Sequence, residues 1–302
     1  SPQLLMLSGI GDASELGRHG IATRVDLPGV GRNLQDHVVC DVRWRRKETG
    51  PLHRALRLDR IGVDLLRTWM FGSGLSSKVP AAAVGLVRSH PELPLPDLQL
   101  LLAAAPMEAG PHFGPLLKPY VDAFAIKGVF ITPESRGSVS LASGDPVAPA
   151  VIRQNFLSTD YDRRAVRQMV RIMRAIGEQP SLAPFRAEEL APGPQATSDA
   201  DIDAFIRRTA ITLHHPVGTC RMGRDADPEA VLDAQLRVRG VEGLRVVDGS
   251  AMPRVVRGPT NAPIIMMAEK AADHILGRPP LARDGRGAPA SRPFPRRETV
   301  PA

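Results

Sequence analysis

The chain has 302 residues, 43% of them apolar and 24% charged, which is the profile of a globular protein with room for one large domain or two ordinary ones. A formal charge of +7 raises nucleic-acid binding, but the arginines are scattered and not interleaved with aromatics, and the stretch 278–302 alone supplies +4 of it. No apolar run reaches the length of about 18 residues that a membrane span needs, Ser1–Ser8 carry no basic n-region of a signal peptide, and the two cysteines, Cys40 and Cys220, form neither a disulfide framework nor a metal-ligand spacing. Reduced thiols point to a cytoplasmic protein, with attachment to a membrane surface as the alternative.

The chain opens as helix, turn, helix, strand. Ser1 and Pro2 suit an N-cap and first helical position, Leu4, Leu5 and Leu7 supply an apolar face, and Gly9 can end the helix in a left-handed conformation. Asp12 and Glu15 have capping-box spacing before a second short helix that Gly20 stops, and residues 21–27 alternate as a strand. Asp59 reads as the N-cap of a helix reaching Phe71. Strands are expected over 97–102, 128–132, 137–141 and 150–154, the last three separated by Pro133-Glu134-Ser135 and Gly144-Asp145-Pro146, which are turn chemistry.

From Thr159 to Ile176 the apolar positions Ala165, Val166, Met169, Val170, Met173 and Ile176 follow helical spacing. Ser198 and Asp201 open a further helix through Arg208. A loop rich in His and Gly follows, then a short strand over 244–248 and a helix from Ala262 to Leu276 halted by Gly277. Residues 278–302, dense in Pro, Arg, Gly and Ala, read as a disordered tail. Strands followed by helices predict an α+β fold whose sheet is mostly antiparallel.

Four features carry chemistry. Gly9-Ile10-Gly11 follows a helix instead of a strand, so it reads as a helix stop and not as a phosphate loop. His215, in a loop beside Pro216 and Gly218, has the residue type of a base working near neutral pH; a hydrogen-bonded surface histidine is the plainer reading. Asn261-Ala262-Pro263 reads as a cap and first helical turn, and such an N-terminus also attracts anions. Asp248, ending its strand, is either a turn residue or a partner for a cofactor hydroxyl.

In their order along the chain these segments resemble the glucose-methanol-choline (GMC) oxidoreductases. The stretches that carry the resemblance are Ser1-Pro2-Gln3-Leu4-Leu5 with Ser8-Gly9-Ile10-Gly11, the run from Pro28 to His37, His215-Pro216 with Gly218-Thr219 and Met222-Gly223, and Leu244–Met252 with Asn261–Asp273. The choline-dehydrogenase-like branch is the most similar. The resemblance implies the C-terminal portion of an FAD-binding α/β domain plus a substrate domain with an antiparallel sheet backed by helices. Residues 1–40 and 210–277 would belong to the flavin portion and 41–209 to the substrate portion. It implies oxidation of a small primary alcohol to an aldehyde with FAD as cofactor and an electron acceptor of unspecified kind. His215 would be the base and Asn261 would hydrogen-bond the substrate oxygen, while Asp248, Gly249, Ala262 and Pro263 would contact the cofactor. No stretch of the chain resembles the glycine-rich turn that binds the ADP half of FAD in that family, so the cofactor site is expected to be incomplete here. A non-catalytic remnant or an interaction module is the alternative.

Overall fold

The computed structural model describes residues 1–74, 81–114 and 116–279. The expected tail therefore lies, from residue 280 onward, outside the described residues. The frame is a six-stranded, wholly antiparallel sheet built from β3 (Val38–Arg46), β4 (Ala81–Val87), β5 (Leu98–Ala103), β6 (Ala123–Phe130), β9 (Arg186–Ala191) and β10 (Ile211–Thr212). Its order is β10-β3-β6-β5-β4, and β9 pairs with the far end of β3. Two-residue alternation sends Val38, Cys40, Val42 and Trp44 of β3 to one face, where they meet Phe124, Ile126 and Phe130.

Helix α5 (Asp160–Gly177) covers that face with Ala165, Val166, Met169, Val170 and Met173 of the stripe read from the sequence, while Ile176, its last position, is 38% exposed. Thr159 caps it, its hydroxyl accepting from Asp162 N. Helix α6 (Asp199–Thr209) adds Ile202, Phe205 and Ile206 under a complete Ser198/Asp201 capping box. The fold is α+β, with an antiparallel sheet backed by helices.

A second core joins the two ends of the described chain. Leu5 and Met6 of α1 (Pro2–Leu7), Leu16 of α2 (Ala13–Arg18), Leu27 and Val30 pack with Cys220, Val231, Leu232, Val246, Ala251 and Ala271, the last on α7 (Asn261–Ile275). Here β1 (Ile10–Gly11) and β2 (Val25–Asp26) form a short parallel pair, and β7 (Ser138–Ser140) and β8 (Val151–Arg153) a hairpin. No helix among the described residues is long and apolar enough to cross a membrane.

Several local expectations are corrected. Met6, not Leu4 or Leu7, joins Leu5 in the core, and Leu4 is 69% exposed. The strand expected over 21–27 shrinks to Val25–Asp26, because Ile21 N is drawn back to Leu16 O at the end of α2. No strand forms over 244–248. That stretch folds back through Gly240 and Gly243, both at positive φ, and keeps one isolated bridge between Arg237 and Arg245. Helix α4 (Leu58–Phe71) begins one residue early, capped by Arg57, whose side chain holds the Asp59 carboxylate. Thr260 and not Asn261 is the N-cap of α7. A short helix, α3 (Pro51–Ala55), and the strands β3, β4, β9 and β10 were not anticipated.

Candidate active site

The run that precedes β3 and the loop that follows β10 meet where those strands pair. Leu213 N donates to His37 O, while Gln35 and Val217 exchange both backbone hydrogen bonds. The buried Asp36 carboxylate takes the His215 backbone N–H at 3.0 Å on one oxygen and the Thr212 hydroxyl on the other. It thereby fixes the turn at His214, whose φ of 62° is left-handed. His214 is exposed; His215 is half-buried.

This turn sets the His215 ring against His37, Nδ1 to Nδ1 at 3.0 Å with the rings edge-on. The other nitrogen of His37, Nε2, lies 2.9 Å from the Val256 carbonyl. A carbonyl only accepts, so His37 Nε2 carries the proton. In neutral His37, Nδ1 is then an acceptor, and His215 Nδ1 must be the donor. His215 Nε2 is left with a lone pair. Burial holds the His37 pKa below that of a free histidine, and the neighbouring His215 adds to the effect; the Val256 carbonyl and Asp36 oppose it without reversing it. In the neutral dyad the hydrogen bonds thus run one way, from His215 to His37 to the Val256 carbonyl.

The elements holding Asp248, Gly249 and the start of α7 converge on the same place. Gly218 N donates to Gly249 O and Cys220 N to Ser250 O. Gly249 is packed so closely that a methyl group there would meet Ile264 Cδ1 at 3.1 Å and Pro216 O at 3.2 Å. The residue after His215 and the first turn of α7 therefore touch the same glycine. Asp248 caps the 3₁₀ turn Gly249–Ala251 through Ser250 N and also accepts from the Ser1 hydroxyl. These bonds hold its pKa down although burial pushes the other way.

Asn261 is the exposed first residue of α7. Thr260, buried, makes no side-chain cap bond, so the first-turn amides of Asn261 and Ala262 are left without an acceptor from the chain, and Pro263 brings none. Two free N–H donors and the positive end of a four-turn helix suit the electron-rich pyrimidine edge of a flavin.

A second set of contacts locks the segment 253–256 that holds His37. Asn33, at φ 61°, donates to Gly218 O and Pro253 O, Gln35 donates to Pro253 O, and Val255 N donates to Gln35 Oε1. Neither His37 nor these amides was singled out from the sequence. The signal for them was the polar run Asn33-Leu34-Gln35-Asp36-His37 leading straight into a buried apolar strand.

The GMC oxidoreductase family model matches residues 133–268. Mitochondrial choline dehydrogenase of Mus musculus is 44% identical over 93% of this chain and 46% of its own length. The chain carries the C-terminal domain of the GMC oxidoreductases. Oxygen-dependent choline dehydrogenase of Brucella anthropi is 41% identical over 94% of the chain and 51% of its own length. Among solved structures, pyridoxine 4-oxidase from Mesorbium loti superposes with a TM-score of 0.75 at 31% identity, over 92% of this chain and 50% of that one. The chain thus spans about half the length of the curated relatives it matches. FAD is the cofactor of this family.

Proposed function

We propose that this chain carries the proton-transfer part of an FAD-dependent alcohol oxidation site, converting a small primary alcohol to an aldehyde. The observation that carries the reading is the His37–His215 contact, anchored on the Val256 carbonyl, which leaves His215 Nε2 as a free base. An alcohol gives up hydride readily only as its alkoxide, so a base must take the hydroxyl proton. His215 Nε2 does so, and the charge gained at His215 is shared through Nδ1–H with the lone pair of His37. Such a base contributes on the order of 10²–10⁴ in rate.

Asn261 at the start of α7 hydrogen-bonds the substrate oxygen as negative charge develops. FAD, when bound, supplies the hydride acceptor. The free amides at Asn261 and Ala262 and the turn at Pro263 would hold its pyrimidine edge. Asp248, whose carboxylate keeps unused lone pairs, would take a cofactor hydroxyl, and Gly249 keeps the turn against α7. We assign residues 1–37 and 213–277 to the flavin portion and the sheet between them to the substrate portion, because β3 and β10 are both strands of that sheet. The choline dehydrogenases among the relatives make a choline-like alcohol the first substrate to try.

The test is the rate of anaerobic flavin reduction in the FAD-loaded protein. His215→Ala lowers it by about two orders of magnitude or more with FAD retained. His214→Ala, which alters an exposed side chain, does much less. Equal effects of the two substitutions would remove His215 as the base.

A further inference from the structure

On the edge of the molecule beside the His37 anchor lies a cavity of about 570 Å³ between the turn 132–136 and the segment 254–257. Three guanidinium groups line it, Arg136, Arg254 and Arg257, against a single carboxylate, Glu134. Arg136 is half-buried, and Arg254 and Arg257 are exposed at the rim. Elsewhere the half-buried Arg46, Arg167, Arg174 and Arg221 are matched with Asp122, Asp203, Glu189 and Asp227, while Arg186 donates to the Gly177 carbonyl. None of the three cavity arginines forms an ion pair with a carboxylate among the described residues. Arg136 spends its donors on neutral acceptors, Asn33 Oδ1 at 3.0 Å and the carbonyls of Pro133 and Ser135. Arg257 reaches only the Pro96 carbonyl, at 3.1 Å.

Two further acids close by are buried and already engaged: Asp162 accepts from Glu134 N and Ser135 N, and Asp97 accepts from Ser89 and from the Tyr161 hydroxyl of the cavity lining. Burial and the facing Arg254 both lower the pKa of Arg136, so the like charges are held together at a cost. Guanidinium forks with unused donors, grouped around a recess and lacking their own carboxylates, are the chemistry that recognises oxyanions.

We propose that this cavity binds a small oxyanion, a phosphate, sulfate or carboxylate group, held by Arg254 and Arg257 with Arg136 behind them. The bound anion would tie the segment 254–257 to the turn 132–136. That segment presents the Val256 carbonyl to His37, so occupation of the site stiffens the support of the dyad. The inference stands on the charge arrangement and does not need the flavin reading.

Titration calorimetry of the full chain at low ionic strength tests it, with inorganic phosphate and succinate as probes and chloride as the control for general screening. Saturable binding of phosphate or succinate at one site is expected, and the tighter of the two identifies the anion class. Arg254→Gln weakens binding by about tenfold or more, since a charge-assisted hydrogen bond is lost. Arg254→Lys recovers part of it, keeping charge without the fork, and Arg208→Gln, on an exposed helix face elsewhere, changes nothing. Phosphate should also raise the melting temperature of the wild type and not of Arg254→Gln. If Arg254→Gln fails to fold, Arg257→Gln is read in its place. Binding no stronger than that of chloride, or equal affinity in the wild type and the folded Gln variant, overturns the proposal.

Discussion

Replacing His37 with phenylalanine removes both ends of the relay at once, because ring nitrogens on opposite sides serve His215 Nδ1 and the Val256 carbonyl. The half-buried Val256 carbonyl loses its donor, a loss of up to about 1–3 kcal/mol where no water takes the place of the ring. His215 is half-buried and can turn toward solvent, so its share is smaller. The larger consequence concerns the tautomer. With no acceptor facing Nδ1, nothing fixes the proton there, and His215 Nε2 is protonated in part of the population. The fraction of molecules that offer a free Nε2 lone pair falls in the same proportion.

Nitrogen NMR of the histidine rings reads this directly and requires neither cofactor nor turnover. At pH 8 the wild type should show His215 with Nδ1 protonated and Nε2 bare, and His37 with the reverse. His37→Phe should bring Nε2–H character into His215. His37→Asn, whose short amide can still offer an oxygen toward Nδ1, should keep the wild-type pattern at His215 while losing the Val256 contact. A protonated Nε2 on His215 in the wild-type chain would refute the polarity argument, and with it the assignment of that nitrogen as the base.

Two further outcomes follow from burial. Because the His37 pKa is depressed in the folded state, the unfolded chain binds the extra proton first, so stability should decline as pH falls below about 6.5, the free-histidine value, and urea midpoints of wild type and His37→Phe should converge there. Gly177→Ala places a methyl group about 2.2 Å from the buried Trp44 ring and should cost about 1–3 kcal/mol by denaturant melt, whereas Gly128→Ala meets the flexible thioethers of Met169 and Met173 and should cost less.

What could be read along the chain was whatever depends on near neighbours. The stripe of α5, the Ser198 capping box and the left-handed stops at Gly9 and Gly277 are local, and each stands where spacing put it. Strand β3 was hidden for a physical reason. Its solvent-side positions carry Asp41, Arg43 and Arg45, its core-side positions include Cys40 and Trp44, and its pairing partners lie about 80 and 150 residues away, at β6 and β9. The segment 244–248 failed in the opposite sense: Val246 and Val247 have strand propensity, but the nearby chain offers only a looping partner at 236–238.

The site divides along the same line. His215 was singled out as a histidine in a glycine-rich loop and Asn261 as a helix cap, and the resemblance to the GMC oxidoreductases supplied the role expected of each. His37 was not: the polar run 33–37 marks the strand entry, but nothing in it picks out which of its residues meets the site. Its importance comes from residue 215, 178 positions later, and from the carbonyl of residue 256, 219 positions later. A backbone carbonyl has no signature in a sequence at all. Yet here it bears on which nitrogen of a second histidine carries the proton, acting through the buried His37 ring. The proton position on His215 is therefore set by the segment 253–256 as much as by the residue itself, and substitutions at Gln35 or Asn33 that loosen this segment should bring Nε2–H character into the His215 nitrogen spectrum without touching either ring.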